Sequence, residues 1–172
     1  MRNFKLICRS FGYWKFNEGS GTVAYDSSEF NNIGILEIAL DIRNNFAKFK
    51  PREFEKLIAQ LFQKMGYKVK LTPEKADYGA DIIAEKDKER IVIEVKKWKR
   101  KNHVGDLEVR SLIGSMPYFN ATKAIFITTS DFTERAREQA RGAQDRGIHI
   151  ELWNGYTLRR MIEKYFIEET SK

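Results

Sequence analysis

The chain of 172 residues contains one cysteine, Cys8, and two histidines, His103 and His149. A single cysteine excludes an intrachain disulfide and a zinc site built from cysteines, and two histidines are too few for a histidine-rich metal centre. The scarcity of cysteine fits a reducing compartment, so we expect a cytoplasmic protein. Any metal site must therefore rest mainly on carboxylates.

Long apolar runs are also missing from the sequence. No stretch approaches the roughly 20 residues that span a bilayer, and the start lacks the apolar core of a signal peptide. We therefore expect no membrane segment and no membrane partner. The length suits one domain with a sizeable core and leaves no room for a second full domain.

Positive charge is present in excess. The chain has 31 basic and 24 acidic residues, a net charge of +7, and five cations surround Trp98 in the segment 96–101. Phosphate is the natural partner of such a run, which makes its flanking cations candidate nucleic-acid contacts: Lys97, Lys99, Arg100 and Lys101. The alternative is a solvated surface run. Trp98 either stacks on a base or packs against the domain, and we expect packing.

Two apolar runs rich in β-branched residues, 80–84 and 90–96, flank a polar segment, 85–89. This pattern predicts a β-hairpin. Because side chains alternate along a strand, Glu94 and Lys96 should share one face, opposite their apolar neighbours.

Asp81 begins the first strand of this hairpin and is positioned to join Glu94 and Lys96. Two carboxylates with water form the hard-oxygen donor set that Mg²⁺ prefers, with Mn²⁺ as a substitute. Lys96 would orient or deprotonate an attacking water, or stabilise charge on phosphorus. A surface ion pair is the alternative, because this spacing alone is common.

Helical periodicity marks the flanking segments. The segment 32–49 predicts an amphipathic helix that ends before Pro51. From Pro51 a second helix carries a continuous apolar stripe up to Gly66, and Glu55 lies at the edge of that stripe.

The remaining pattern predicts a strand at 67–71, a helix at 105–118, a strand at 124–128, a helix after Asp131, a strand at 148–152 and a closing helix. Asp131 with Glu134 three residues later resembles a capping box. Strands alternating with helices in the second half predict parallel crossovers. We therefore expect an α/β domain with a mixed sheet covered on both faces, at 51–168, after an N-terminal extension at 1–50.

The extension contains a hairpin-like segment, 11–28. Residues 13–22, continuing to 26–28 and 32–34, resemble the opening of laminin-G or concanavalin-like β-sandwich domains. Those domains need far more chain than the residues matched here. We interpret the segment as a remnant of such a domain, a fortuitous match or a small accessory hairpin, and we do not expect carbohydrate binding. Its aromatic side chains pack either on the main domain or at a dimer interface.

Residues 51–162 resemble the Mrr-like restriction endonuclease family, a branch of the PD-(D/E)xK nuclease superfamily. Several anchors occur in the family's order: Phe54-Glu55, Gly66-Tyr67, Asp77-x-Gly79-x-Asp81, Glu94-x-Lys96, Val104-Gly105, Thr128-Thr129-Ser130-x-Phe132-Thr133-x-x-Ala136 and Gly147-Ile148. The superfamily core is a three-layer α/β/α fold. Many Mrr-like members have glutamine where this chain has Glu94, and the motif's first proline is absent before Asp81, as is usual in this branch.

The resemblance implies a Mg²⁺-dependent endonuclease acting on DNA. Asp81 and Glu94 would hold the metal, Lys96 would position the water, and Glu55 would complete the site as the family's first-helix acid. Arg110, with Thr129 and Ser130, is a further candidate for phosphate contact. A homodimer is compatible with cutting both strands.

Two functions remain open, a DNA endonuclease and a nucleic-acid-binding module. The same fold can serve as a non-catalytic nucleic-acid-binding module, which would have no need of Asp81, Glu94 and Lys96. Within the enzyme interpretation, the resemblance leaves modified DNA and branched DNA open as substrates.

Overall fold

A computed structural model describes residue 42 and residues 44–73 and 78–168. The elements follow the predicted order. They are α1 (Pro51–Lys64), β1 (Lys68–Leu71), β2 (Ile82–Lys86), β3 (Glu89–Lys96), α2 (Asp106–Ser115), β4 (Lys123–Thr128), α3 (Glu134–Gln144), β5 (Ile150–Trp153), α4 (Gly155–Ile162) and a π-helical turn (Glu163–Glu168).

The five strands form one mixed sheet in the order β1-β2-β3-β4-β5. The first three strands pair antiparallel, and β3, β4 and β5 pair parallel. The predicted hairpin is confirmed as β2 and β3, although its turn is shorter than the sequence indicated. Lys86 pairs with Glu89, so that only Asp87 and Lys88 connect the strands.

Helices cover both faces of the sheet, as expected. The apolar stripe of α1 packs with α4 against one face, where Ile93 and Val95 of β3 contribute. On the other face, α2 and α3 pack against Val92 and Phe126. Small residues on α3 allow close contact there. The result is the predicted three-layer α/β/α arrangement, with Glu94 and Lys96 on the α2–α3 side of β3 by strand alternation.

The segment before α1 differs from the helix predicted at 32–49. Ile42 is helical, but residues 44–49 form turns, and Asn45 and Phe46 adopt positive φ angles of 55° and 59°. Left-handed backbone cannot continue an α-helix, so the predicted helix does not reach Phe49. Ile42 and Phe46 are nevertheless buried, and the ring of Phe46 lies 5.1 Å from that of Phe54.

The predicted capping box at Asp131 is wrong. The N-cap of α3 is Thr133, whose hydroxyl accepts the amide of Ala136 at 3.2 Å. The carbonyl of Asp131 accepts the amide of Val104 instead, within an isolated parallel bridge between Val104 and Phe132. The chain is thereby held extended for two more residues before the helix begins.

The accessory hairpin predicted at 11–28 and the turn residue Asp77 lie outside the described residues. Within the described part of the chain, no helix has the length and apolar character needed to cross a membrane.

Candidate active site

Asp81 lies at the sheet end where β1 finishes and β2 begins. Its carbonyl accepts the amide of Thr72, and its amide donates to Ile93, both at 2.9 Å. The Ile82–Ile93 register would place Asp81 opposite Glu94, so the bond to Ile93 departs from that register. The Asp81 side chain, only 9% exposed as a residue, accepts the amide of Val95 through Oδ2 at 2.7 Å. Its carboxylate is therefore fixed to the backbone between Glu94 and Lys96.

Glu94 and Lys96 share the end of β3, as predicted. Their side chains form an ion pair, with 2.5 Å between Lys96 Nζ and Glu94 Oε1. The Glu94 side chain is 9% exposed, whereas that of Lys96 is 35% exposed. A buried carboxylate is costly without a charged or hydrogen-bonding neighbour, and Lys96 supplies one. The hairpin thus brings one lysine and two carboxylates together at one sheet end.

Glu55 lies on α1, which covers the opposite face of the sheet from Glu94. It forms an ion pair with Arg52, one helical turn earlier, with Nη1 and Oε2 separated by 2.6 Å. Nη2 of Arg52 donates to the carbonyl of Thr72 at 3.0 Å. The Thr72 hydroxyl in turn donates to the carbonyls of Ala80 and Asp81. Arg52 and Thr72 therefore link Glu55 to the segment that carries Asp81.

The backbone of Lys96 is held by three donors. Its carbonyl accepts the Thr128 hydroxyl at 2.9 Å, the Trp98 amide at 3.1 Å and the Thr129 amide at 3.3 Å. Thr128 and Thr129 are almost fully buried, and the Thr129 hydroxyl donates to the Trp98 carbonyl at 2.7 Å. Ser130 is also buried and bonds to Thr128. The structure therefore does not support phosphate contacts by the Thr129 and Ser130 hydroxyls.

The basic run leaves β3 directly after Lys96. Its cations Lys99, Arg100 and Lys101 are exposed, Lys97 is half-buried, and Trp98 packs against the core as expected. A phosphate polyanion can therefore reach three of the four predicted contacts, Lys99, Arg100 and Lys101, without any rearrangement of the core. These roles stay predictions.

Arg110 lies on α2, away from the basic run in sequence. Its guanidinium forms an exposed ion pair with Asp106 at 2.7 Å, one turn earlier. Such exposed pairs contribute about 0–1 kcal/mol and exchange readily for other partners. The predicted phosphate contact by Arg110 would require it to leave Asp106.

Asp131 is a further charged group at this sheet end, beside the start of α3. Burial alone would raise the pKa of Asp131, but the Phe132 amide, the Asn154 side chain and the Arg137 guanidinium all stabilise the carboxylate. The net result is a pKa below the ordinary value. Asp131 therefore serves to join β4, α3 and α4 as an anion.

Sequence reasoning assigned no role to Arg52 and Thr72, and it named Thr128 only as an anchor of the family resemblance. Arg52 and Thr72 bond to each other across 20 positions in sequence, and Thr128 bonds to Lys96 across 32. Thr72 also bonds to Ala80 and Asp81, which lie 8 and 9 positions away. Besides that anchor, the available signal for Thr128 was a threonine at the end of an apolar strand. Buried hydroxyls need partners, and strand ends offer backbone carbonyls.

The described residues hold no group of three or more His, Cys, Asp or Glu side chains suited to a metal ion. Asp81 and Glu94 are two carboxylates. Mg²⁺ commonly takes only one or two from the protein and completes its shell with water and phosphate, so the donor set fits that ion.

Comparisons with known proteins identify the family and the fold. A restriction endonuclease family model, Mrr_cat, matches residues 46–162. The type IV methyl-directed restriction enzyme EcoKMrr of Escherichia coli K12 is 26% identical over 132 residues, which cover 68% of this chain and 43% of that protein. An uncharacterized protein of Sinorhizobium fredii, y4cE, is 29% identical over 92 residues, covering 51% of this chain and 24% of its own length. The chain thus spans less than half of these relatives.

Two solved structures share the fold. The MspJI restriction endonuclease in complex with a 27-mer oligonucleotide superposes with a TM-score of 0.53 at 17% identity, over 83% of this chain and 35% of that one. The DNA modification-dependent restriction endonuclease AspBHI superposes with a TM-score of 0.57 at 19% identity, over 86% of this chain and 40% of that one. With the family model matching more than half of its residues, the chain belongs to the Mrr_cat family of restriction endonucleases.

Proposed function

We propose that the chain is a Mg²⁺-dependent DNA endonuclease that hydrolyses phosphodiester bonds, with Mn²⁺ as a substitute metal. The observation that carries the proposal is the 2.7 Å bond from the Val95 amide to the Asp81 carboxylate. It holds this carboxylate beside Glu94 and Lys96. Family membership supports the same chemistry, and the names of EcoKMrr, MspJI and AspBHI indicate restriction enzymes.

Asp81 and Glu94 would hold the metal. When bound, the metal would polarise a phosphoryl oxygen and lower the pKa of a coordinated water. The side chain of Lys96, the most exposed of the three, would orient the attacking water and offset charge on the phosphate. Hydrolysis forms a new P–O bond from this water and breaks the bond to the leaving sugar oxygen, which takes up a proton.

Glu55 and the basic run have supporting roles in the proposal. Glu55 would accept a hydrogen bond from a water at the site, with Arg52 fixing its carboxylate. The exposed cations Lys99, Arg100 and Lys101 would hold the DNA backbone over the site without specifying sequence. Cutting of both strands would require two copies of the site, which a homodimer would provide.

A plasmid nicking assay tests the proposal. Wild-type protein should convert supercoiled plasmid DNA to the nicked circular form in Mg²⁺ or Mn²⁺, and it should be inactive in EDTA. Asp81→Ala, Glu94→Ala and Lys96→Ala should each lose activity by about 100-fold or more, since several kcal/mol of transition-state stabilisation would be removed. Circular dichroism and the unfolding midpoint confirm that each variant is folded. Arg141→Ala, which removes an exposed ion pair with Glu134 on α3, is the matched control.

Two outcomes would contradict the proposal. Unchanged cleavage by a folded alanine variant would remove that residue from the mechanism. DNA binding that survives chelation and yields no product on plain, methylated, nicked or branched DNA would instead identify a non-catalytic binding module. The same four substrates also distinguish restriction of modified DNA from cleavage of branched structures.

A further inference from the structure

Tyr78 and Tyr118 form a stacked pair at the surface. Their ring centroids are 4.4 Å apart with an interplanar angle of 25°, yet the two residues are 59% and 60% exposed. Tyr118 also meets Phe119 edge-on at 4.8 Å, and Phe119 packs against the core between the sheet and helices α2 and α3. A column of three rings therefore rises from the core to solvent, ending in these two tyrosines, called the tyrosine pair below.

The backbone fixes Tyr78 in an unusual conformation. Tyr78 and Gly79 have φ angles of 48° and 81°. Left-handed backbone is uncommon for a residue with a side chain and persists where packing enforces it, often at functional sites. The next residue, Gly79, approaches α2 closely, because a Cβ there would lie 3.1 Å from Ser111 Oγ and 3.4 Å from the Ser111 carbonyl oxygen. The Tyr78 ring is thus presented to solvent by a constrained loop.

This loop leads directly to the candidate active site. Tyr78 precedes Asp81 by three residues, and three trans peptide units span at most about 11 Å. Successive base pairs in B-DNA rise by about 3.4 Å, so this distance corresponds to about three base steps. DNA with a phosphate at Asp81 would therefore have neighbouring nucleotides within reach of Tyr78.

The exposed area of the tyrosine pair indicates which class of ligand it can bind. A stable protein interface buries about 800 Å² on each partner, whereas one aromatic side chain buries about 150–250 Å². Two tyrosines that are already partly covered are too small to hold a second copy of the chain. They offer aromatic rings of the kind on which nucleobases stack, and the net charge of +7 favours a polyanion.

We propose that the tyrosine pair stacks on a base of the bound DNA within a few nucleotides of the cleaved phosphate. This inference rests on the proposed DNA endonuclease function. Aromatic faces stack on any base, so the contact would position the strand without reading its sequence. It would be strongest where a base is already unpaired, as at the junction of branched DNA.

Fluorescence anisotropy with labelled DNA tests the contact. Measurements use the Lys96→Ala background in Mg²⁺, so that binding is recorded without cleavage. The Tyr78→Ala/Tyr118→Ala double variant should bind about 5- to 150-fold more weakly, the range expected for loss of one stacked base. Its slope of log Kd against log salt should be unchanged, because no phosphate contact is lost. Tyr78→Phe and Tyr118→Phe should bind as the parent does.

A second readout reports stacking itself. DNA with 2-aminopurine near the cleavage position should lose fluorescence on binding, and the double alanine variant should abolish that quenching. Lys99→Ala is the comparison, since it should lower the salt slope by about 1 and leave the quenching intact. Circular dichroism of each variant establishes folding.

Four outcomes would overturn the inference. The first is unchanged DNA affinity and unchanged quenching in the folded double alanine variant. If the wild-type protein cleaves DNA in the same experiments, this result overturns the inference and leaves the endonuclease function intact. A changed salt slope would assign the pair to phosphate contact, and conversion of a dimer to a monomer on light scattering would assign it to self-association. If wild-type protein neither binds nor cleaves DNA, the inference falls with the proposed function.

Discussion

The Thr128 hydroxyl donates to the carbonyl of Lys96 across neighbouring parallel strands, at 2.9 Å. Thr128 is completely buried and opposes Lys96 in the β3–β4 register. Together with the amides of Trp98 and Thr129, it fixes the peptide that carries the candidate catalytic lysine. Preorganisation of this kind limits how far the ammonium can move from Glu94.

The first prediction concerns Thr128. Thr128→Val keeps the shape of the side chain but removes its hydroxyl, so that the buried groups bonded to it each lose a hydrogen bond. The free energy of unfolding should therefore fall by about 1–3 kcal/mol. Nicking at saturating Mg²⁺ should also slow, because the Lys96 peptide gains freedom. Urea denaturation and single-turnover cleavage measure the two effects.

Thr128→Ser is the matched control, since it keeps the hydroxyl. It should recover most of the rate even where some stability is lost with the methyl group. Equal rates for Thr128→Val and wild type, at temperatures where both are folded, would show that Thr128 supports the fold alone.

The second prediction concerns Arg52, which bonds both Glu55 and the Thr72 carbonyl. Arg52→Lys keeps the charge but cannot make both bonds with a planar fork. We expect the Mg²⁺ concentration for half-maximal nicking to rise by about 10- to 100-fold, the cost typical of residues that orient metal-site groups. A Mg²⁺ titration of the cleavage rate measures this shift.

A double-mutant cycle separates positioning from general destabilisation. In a Glu55→Gln background, Arg52→Lys should change the Mg²⁺ midpoint much less, because the carboxylate it orients is already altered. Additive effects in the cycle would contradict a role that acts through Glu55.

Local periodicity sufficed to predict much of this site. The apolar stripe of α1 and the alternation of β3 depend on residues near one another in sequence. They correctly placed Glu94 and Lys96 on one strand face, with Asp81 beside them. The buried runs also identified the sheet and its parallel second half, since strands separated by helices must cross over.

Longer-range partners could not be predicted in the same way. Asp131 has the spacing of a helix cap, but its carboxylate bonds to Arg137 and Asn154, and Thr133 caps the helix. Arg52 finds its carbonyl partner 20 residues away, and Thr128 finds its partner 32 residues away. Such choices depend on which surfaces meet after folding, which the periodicity of one sequence does not specify.

The third prediction is a pH dependence due to Asp131. Its pKa is lower in the folded state than in the unfolded chain. The carboxylate therefore contributes stability above the unfolded pKa, near 4, and this contribution is lost as the pH falls through the folded pKa. The stability difference between wild type and Asp131→Asn should be constant from pH 7 to about 5 and should shrink towards pH 3.

Urea unfolding at several pH values measures this difference. Asp145→Asn, at the exposed end of the same helix, corrects for the change of one net charge. A gap between wild type and Asp131→Asn that stays constant down to pH 3 would contradict the assignment.

The last prediction concerns Gly155, the first residue of α4. A Cβ at this position would lie 2.5 Å from the Thr129 carbonyl oxygen and 3.0 Å from its carbon. Because both atoms belong to backbone, neither can move aside as a flexible side chain would. Gly155→Ala should therefore lower the free energy of unfolding by about 1–3 kcal/mol, the usual cost of overpacking. Since the Thr129 amide bonds to the Lys96 carbonyl, the variant should also cleave DNA more slowly at temperatures where it remains folded.

Gly114, on the exposed side of α2, is the opposite case, because a Cβ there would meet nothing within 4 Å. Gly114→Ala should stabilise the protein by up to about 1 kcal/mol through helix propensity and leave cleavage unchanged. Thermal and urea unfolding of the two variants measure the contrast, and equal stabilities for Gly155→Ala and Gly114→Ala would contradict the close approach of α4 to the end of β4.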